Sequence, residues 1–222
     1  MTRLLFIIKQ LKQKTIFQLF TIYTRYLLGC AFVIAAIGMG KIYGAHFPAS
    51  GENNNFPGNA ITQVFAVFSN SSVYWEFIGC SQIIAGALLM TQKFARLGSV
   101  VFLPIIANIF IITVAYGFRG TPIITGLMLL ANIYLLVWEA PTLQYLVINP
   151  TPTTLPMHDY VKPKNSNLWI VTGLLLLITI VIGMRLIKIH TSIIMLICLG
   201  EGIIAFIFNL FMQSDKKSIS FN

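Results

Sequence analysis

Six apolar runs, each long enough for a helix to cross a bilayer, constrain this chain more than any other feature. They fall at roughly Arg25–Tyr43, Val73–Met90, Leu97–Tyr116, Pro122–Trp138, Leu168–Ile187 and Thr191–Met212. About 20 residues of helix span the hydrocarbon core, and a backbone without water must satisfy its own hydrogen bonds. The composition agrees: 57% of the residues are hydrophobic and 9% charged, where a soluble domain carries about 25% charged residues. The expected fold is an all-α, polytopic membrane helix bundle.

The net charge of +9 does not point to nucleic acid. The basic residues are not interleaved with stacking aromatics on a polar face. They gather at the ends of apolar runs, where they anchor helices at the lipid surface and set topology. With the N-terminus inside, the inner segments hold Arg3, Lys9, Lys12, Lys14, Arg25, Lys93, Arg96, Lys162, Lys164, Lys216 and Lys217, and the outer side holds Lys41, Arg119, Arg185 and Lys188. Both termini are therefore expected in the cytoplasm of a bacterial cell, although "RLIKIH" runs locally against the rule.

Residues 1–24 break their apolar content with Lys9, Lys12 and Lys14, and no small-residue cleavage site follows, so no cleavable signal peptide is expected. Leu4, Ile8, Leu11, Leu19 and Ile22 share a helical face, which predicts a basic amphipathic helix lying on the membrane. Residues 25–139 then form a four-helix unit, 140–167 a proline-rich linker, 168–212 a two-helix appendix and 213–222 a tail. In the long loop after span one, Ile61, Val64, Phe65 and Phe68 have helical spacing and can pack across the outer mouth. Short turns ("TQKFAR", "GFRGT") make spans two, three and four antiparallel neighbours. There is no internal repeat of the kind that builds inverted-repeat transporters.

Polar residues inside the apolar runs carry the functional signal. Gln82, Asn108 and Asn132 fall near the middles of three consecutive spans. Facing lipid, each amide would lose hydrogen bonds at a cost of several kcal/mol, so all three are expected to point inward and bond one another or a trapped water. Gly79, Gln82 and Gly86 share one face of span two. Arg25, Gly29, Phe32, Ala36 and Gly40 share one face of span one, and Thr125, Asn132 and Glu139 form a stripe on span four. Such amides are either interhelical bonds or the lining of a ligand site; glycines there let helices approach. Pro104 removes a backbone bond in span three. Glu139 and Glu76 lie near span ends, where water is expected to reach them.

Glu201 lies deep in span six, where an acid must be protonated, paired or wetted. Arg185, at the end of span five, is its nearest cation in sequence. The pair is a candidate proton or ion-pair site. Cys30, Cys80 and Cys198 all lie in apolar runs, without C-x-x-C or zinc spacing, and read as buried small hydrophobes. A redox pair of Cys30 with Cys80 is the sharper alternative. His46, His158 and His190 show no metal-ligand spacing, and no nucleophile motif or phosphate loop is present.

The order of features across residues 25–139 resembles the DoxX and DoxX-like membrane proteins. In "RYLLGCAFVIAAIGMGKIYG" an arginine precedes glycines, and a glycine and lysine stand at the far end of the first helix. "FIGCSQIIAGALLMTQKFARLGSVVFLPI" carries a glycine-rich second helix through a short basic turn, and "GTPIITGLMLLANIYLLVWE" is similar to the fourth helix. The family often has a glutamate where this chain has Gln82, and the last two spans lie outside its four-helix unit. The resemblance implies a small bundle that works with partners; relatives include a membrane subunit of a thiosulfate:quinone oxidoreductase and proteins that assist receptor assembly.

Three functions follow as expectations. One is a non-catalytic membrane partner or assembly subunit with a protein partner. Another is a subunit of a quinone-linked oxidoreductase, its quinone bonded by Gln82, Asn108 and Asn132, which with Glu139 make up the candidate interior polar site. The third is a proton-linked transporter built on Glu201.

Overall fold

The computed structural model describes residues 8, 10–42, 60–147 and 166–219. Among them every regular element is an α-helix: α1 (Thr15–Gly38), α2 (Ala60–Asn70), α3 (Ser72–Met90), α4 (Ala95–Ala115), α5 (Thr121–Val147), α6 (Ser166–Arg185) and α7 (Thr191–Ile219). All but the short α2 are long and apolar enough to cross a membrane. The chain thus folds as the six-span helix bundle of an integral membrane protein. Its near end is where α1 begins and α3 turns into α4; its far end is where α1 finishes and α4 turns into α5.

α1 is the hub. On one side Leu28 and Phe32 pack into a core with Ala85, Leu89, Phe102, Ile106 and Leu135 of α3, α4 and α5, and the Phe32 and Phe102 rings stack with centroids 3.7 Å apart. On the other side Ile22, Tyr26, Val33 and Ile37 pack with Trp169, Leu176, Ile180 and Ile194 of α6 and α7. With lipid as apolar as the core, close packing and not water exclusion holds such helices together. The glycine face read on α3 supplies it. A Cβ at Gly86 would lie 2.7 Å from the Gly29 carbonyl oxygen, and one at Gly29 would lie 2.8 Å from the Gly86 carbonyl oxygen. The two-helix appendix is equally close: Gly173 of α6 lies against the Met90 carbonyl at the end of α3.

α2 lies over the far end as expected. Val64 is buried, and the Phe65 ring meets Trp75 and Phe118 at 5.9 and 6.1 Å between centroids. Ile61's side chain, Leu4, His46 and His158 lie outside the described residues.

Several boundaries differ from the sequence reading. The first span begins at Thr15, so residues 15–24 belong to it and not to a separate surface helix. The reason is tertiary: Ile22 is in the core, and the Thr21 hydroxyl bonds the Tyr134 hydroxyl at 2.9 Å. Residues 10–13 are helical and the chain breaks at Lys14, whose extended backbone precedes α1. α5 runs through Pro141 to Val147, into the expected linker; residues 148–165 lie outside the described residues. α7 continues past Met212 into the expected tail.

Candidate functional site

The stripe on α5 finds three partners, all on α4. At the far end Thr125 shares a hydrogen bond with Thr113 at 3.0 Å. In the middle the fully buried Asn132 donates from Nδ2 to the Ser99 carbonyl at 3.1 Å, using that oxygen's second lone pair. At the near end Glu139 Oε2 accepts from Arg96 Nε at 3.1 Å. One polar contact every seven residues thus ties two apolar helices along their length.

Glu139 also gathers cations from elsewhere. Arg25 Nη2 donates to its Oε1 at 2.7 Å, and Lys12 Nζ stands 3.9 Å from Oε2. Arg25 Nη1 reaches Gln92 Oε1 at 2.9 Å. Gln92 sits in the α3–α4 turn with φ 57°, a conformation uncommon for a side chain larger than glycine. One buried carboxylate therefore joins α1, α4, α5 and the segment before α1. The expectation that water reaches Glu139 is corrected: its side chain is 7% exposed, because α5 continues two more turns beyond it and carries it inside the bundle. Burial, followed by the neighbouring Arg96 and Arg25 charges, pushes Lys12 below its ordinary range against the opposing pull of Glu139. Glu76 is exposed, as read.

A second polar centre lies at the far end. α1 closes with a glycine-terminated cap: Gly40 has φ 64°, its N–H meets the Ile37 carbonyl, and the Lys41 N–H meets the Ala36 carbonyl. This turn folds Lys41 back over Gly79, where a Cβ would lie 2.7 Å from the lysine's own Cβ. The ammonium donates to Gln82 Oε1 at 2.8 Å and stands 5.1 Å from the centre of the Trp75 ring. Lys41 is 5% exposed. No carboxylate pairs with it among the described residues, and burial pushes its ammonium down to about 8.

The three amides therefore do not converge. Gln82 faces inward but serves Lys41, and Asn132 faces inward but serves Ser99. Asn108 does not face inward at all: it is exposed. The buried face of α4 runs through Ala95, Ser99, Phe102, Ile106 and Thr113. Asn108 is two residues from Ile106, about 200° around the helix, and so lies on the opposite side. The quinone cage expected among Gln82, Asn108 and Asn132 lacks its third wall.

Glu201 points toward α6, where its Oε1 accepts from Thr179 Oγ1 at 2.5 Å. Its Oε2 is buried without a hydrogen-bond partner among the described residues. Arg185 is exposed six residues further along α6, at the far end. The cysteine alternative is also corrected: Cys80 is exposed, and Cys30 instead faces Cys198 across the α1–α7 contact, both packed against the same core. Their spacing of 168 positions hides this pairing from any motif search. Arg25 is read on one face of span one and, with Lys41 and Arg96, among the basic residues that anchor span ends; the sequence reading pairs none of them with Glu139 or Gln82. Their signal was position: each stands beside or inside an apolar run. No three metal-ligating side chains converge among the described residues.

No protein-family model and no solved structure matches the chain. It is similar to "Uncharacterized protein YwoB" of Bacillus subtilis (strain 168), with 34% identity over 106 residues that cover 47% of this chain and 69% of that protein. The fold built around α1 and its buried charges is accordingly that of a six-span chain which belongs to the family of the Bacillus subtilis protein YwoB.

Proposed function

We propose that this chain is a non-catalytic subunit of a bacterial cytoplasmic-membrane complex, docking a partner membrane protein through the outward face of α4. The observation that carries the reading is Asn108. It stands on an exposed stripe with Leu97, Pro104, Ile111 and Ala115, residues repeating at intervals close to 3.5 that suit helix–helix packing. An amide left among acyl chains forfeits its hydrogen bonds at a cost of several kcal/mol; a polar group on a neighbouring transmembrane helix removes that cost. The interior supports the same reading, since Gln82, Glu139 and the Nδ2 of Asn132 hold helices together.

The DoxX-like order of features across residues 25–139 favours a partner role, and the basic residues at the near end favour a cytoplasmic placement of both termini. The test is purification from native membranes in mild detergent. The wild type brings down a membrane protein in stoichiometric amount, and Asn108→Leu loses it while keeping its own folded elution profile. Equal recovery by both removes the proposal.

A further inference from the structure

Two thiols and an acid that no part of the proposed subunit role uses come together on the opposite side of the bundle. Cys30 of α1 and Cys198 of α7 pack against the same core cluster and face each other across the α1–α7 contact. Both are half-buried, packed against the apolar core on one side and open on the other. Glu201 lies three residues beyond Cys198, about one turn along the same side of α7. Thr179 holds Oε1 of that carboxyl, which leaves Oε2 buried with no hydrogen-bond partner among the described residues. The contact between the helices is fixed nearby, where the Tyr23 hydroxyl donates to the Gly202 carbonyl at 2.8 Å.

We propose that Cys30 and Cys198 form a redox-active dithiol, oxidised to an α1–α7 disulfide by a lipid-soluble quinone with Glu201 as proton acceptor. The oxidant must come from the membrane, because both sulfurs lie within apolar spans, and it must accept two electrons and two protons together. A quinone does so from the lipid phase. Glu201 Oε2 takes the proton of one thiol, and the thiolate adds to a quinone ring carbon, forming a C–S bond. The second thiol then attacks the first sulfur as it gives up its proton. The S–S bond forms, the C–S bond breaks, and its electron pair stays on the ring. The two protons, one of them returned by Glu201, complete the quinol. The chain loses two hydrogens and the quinone gains them.

This differs from the quinone cage considered above: it uses other helices and none of Gln82, Asn108 or Asn132. The test uses full-length protein in mild detergent with Cys80→Ser, so that only the pair remains. A short-chain quinone is added anaerobically, quinol is followed by absorbance, and remaining thiols are counted by maleimide mass-tagging. The expected result is one quinol per chain and loss of both thiols together. Cys30→Ser or Cys198→Ser in that background releases no free quinol; the variant that keeps the attacking thiol stops at the covalent quinone adduct, seen in intact mass as one added quinone, and the other keeps its thiol. Glu201→Gln, which still accepts the Thr179 hydrogen bond, reaches the same end point roughly 100-fold more slowly. Intact mass of the wild type, showing the loss of two hydrogens on quinone treatment, keeps the idea testable should a variant fail to fold. Two thiols still fully taggable after quinone, or quinol formation that survives Cys198→Ser, would overturn it.

Discussion

Replacing Glu139 by glutamine tests the near-end charge cluster most directly. The substitution keeps size and one acceptor oxygen, and removes the charge that Arg25, Arg96 and Lys12 share. The Arg25 and Glu139 side chains are only 9% and 7% exposed, so removing one partner leaves a buried, uncompensated cation. Such losses cost about 3–5 kcal/mol. Arg96 and Lys12 are 35% and 24% exposed, and each adds no more than about 1 kcal/mol. Arg25 keeps Gln92 as an acceptor, which places the expected loss near about 3 kcal/mol. Arg25→Met costs less, about 1–2 kcal/mol, because Glu139 keeps two other cations. The double variant, with neither charge, loses less than the sum of the two by about 2 kcal/mol. Reversible unfolding in mixed micelles measures all three, followed by tryptophan emission, to which Trp138 contributes beside Lys12, 5.7 Å from its ring centre. A loss below about 1 kcal/mol for Glu139→Gln, or strictly additive costs in the double variant, refutes the argument that the cluster is an interdependent buried unit.

Two further outcomes follow from the packing and from Lys41. Gly86→Val forces α1 and α3 apart, because its Cβ alone would stand 2.7 Å from the Gly29 carbonyl oxygen and 2.9 Å from the Val33 side chain; the same unfolding assay shows a loss of at least about 2 kcal/mol. Burial holds Lys41 at about 8 in the fold against its ordinary 10.5, so between those values the unfolded chain binds the extra proton. Stability from this group is therefore lowest below about pH 8 and rises toward pH 10.5, by as much as about 3 kcal/mol. The pH dependence of unfolding in Lys41→Met lacks that rise; an identical profile in wild type and variant shows that Lys41 is not buried as described.

The fold was largely legible. Six apolar runs, the Gly79–Gln82–Gly86 face and the Thr125–Asn132–Glu139 stripe follow from helical periodicity and from the cost of polar groups in lipid. Boundaries were less so, because α1 and α5 are prolonged by packing partners, Tyr134 for Thr21 and Arg25 for Glu139, that local sequence does not contain. The candidate site was legible in its residue types and misread in its pairing. Asn108 was assigned to the interior by an argument that held for Gln82 and Asn132. That argument requires every amide to find a partner inside the same chain, and an exposed face can find it in another.

Sequence alone determined that this chain must cross a bilayer as helices, since a backbone stripped of water has no other way to bond itself over runs of this length and oiliness. Which side chain meets which was decided only in three dimensions. Helix rotation and crossing set whether Lys41 swings onto Gln82, whether Glu139 closes on Arg25, and whether Cys30 faces Cys198, and all of these partners lie tens to hundreds of positions apart along the chain.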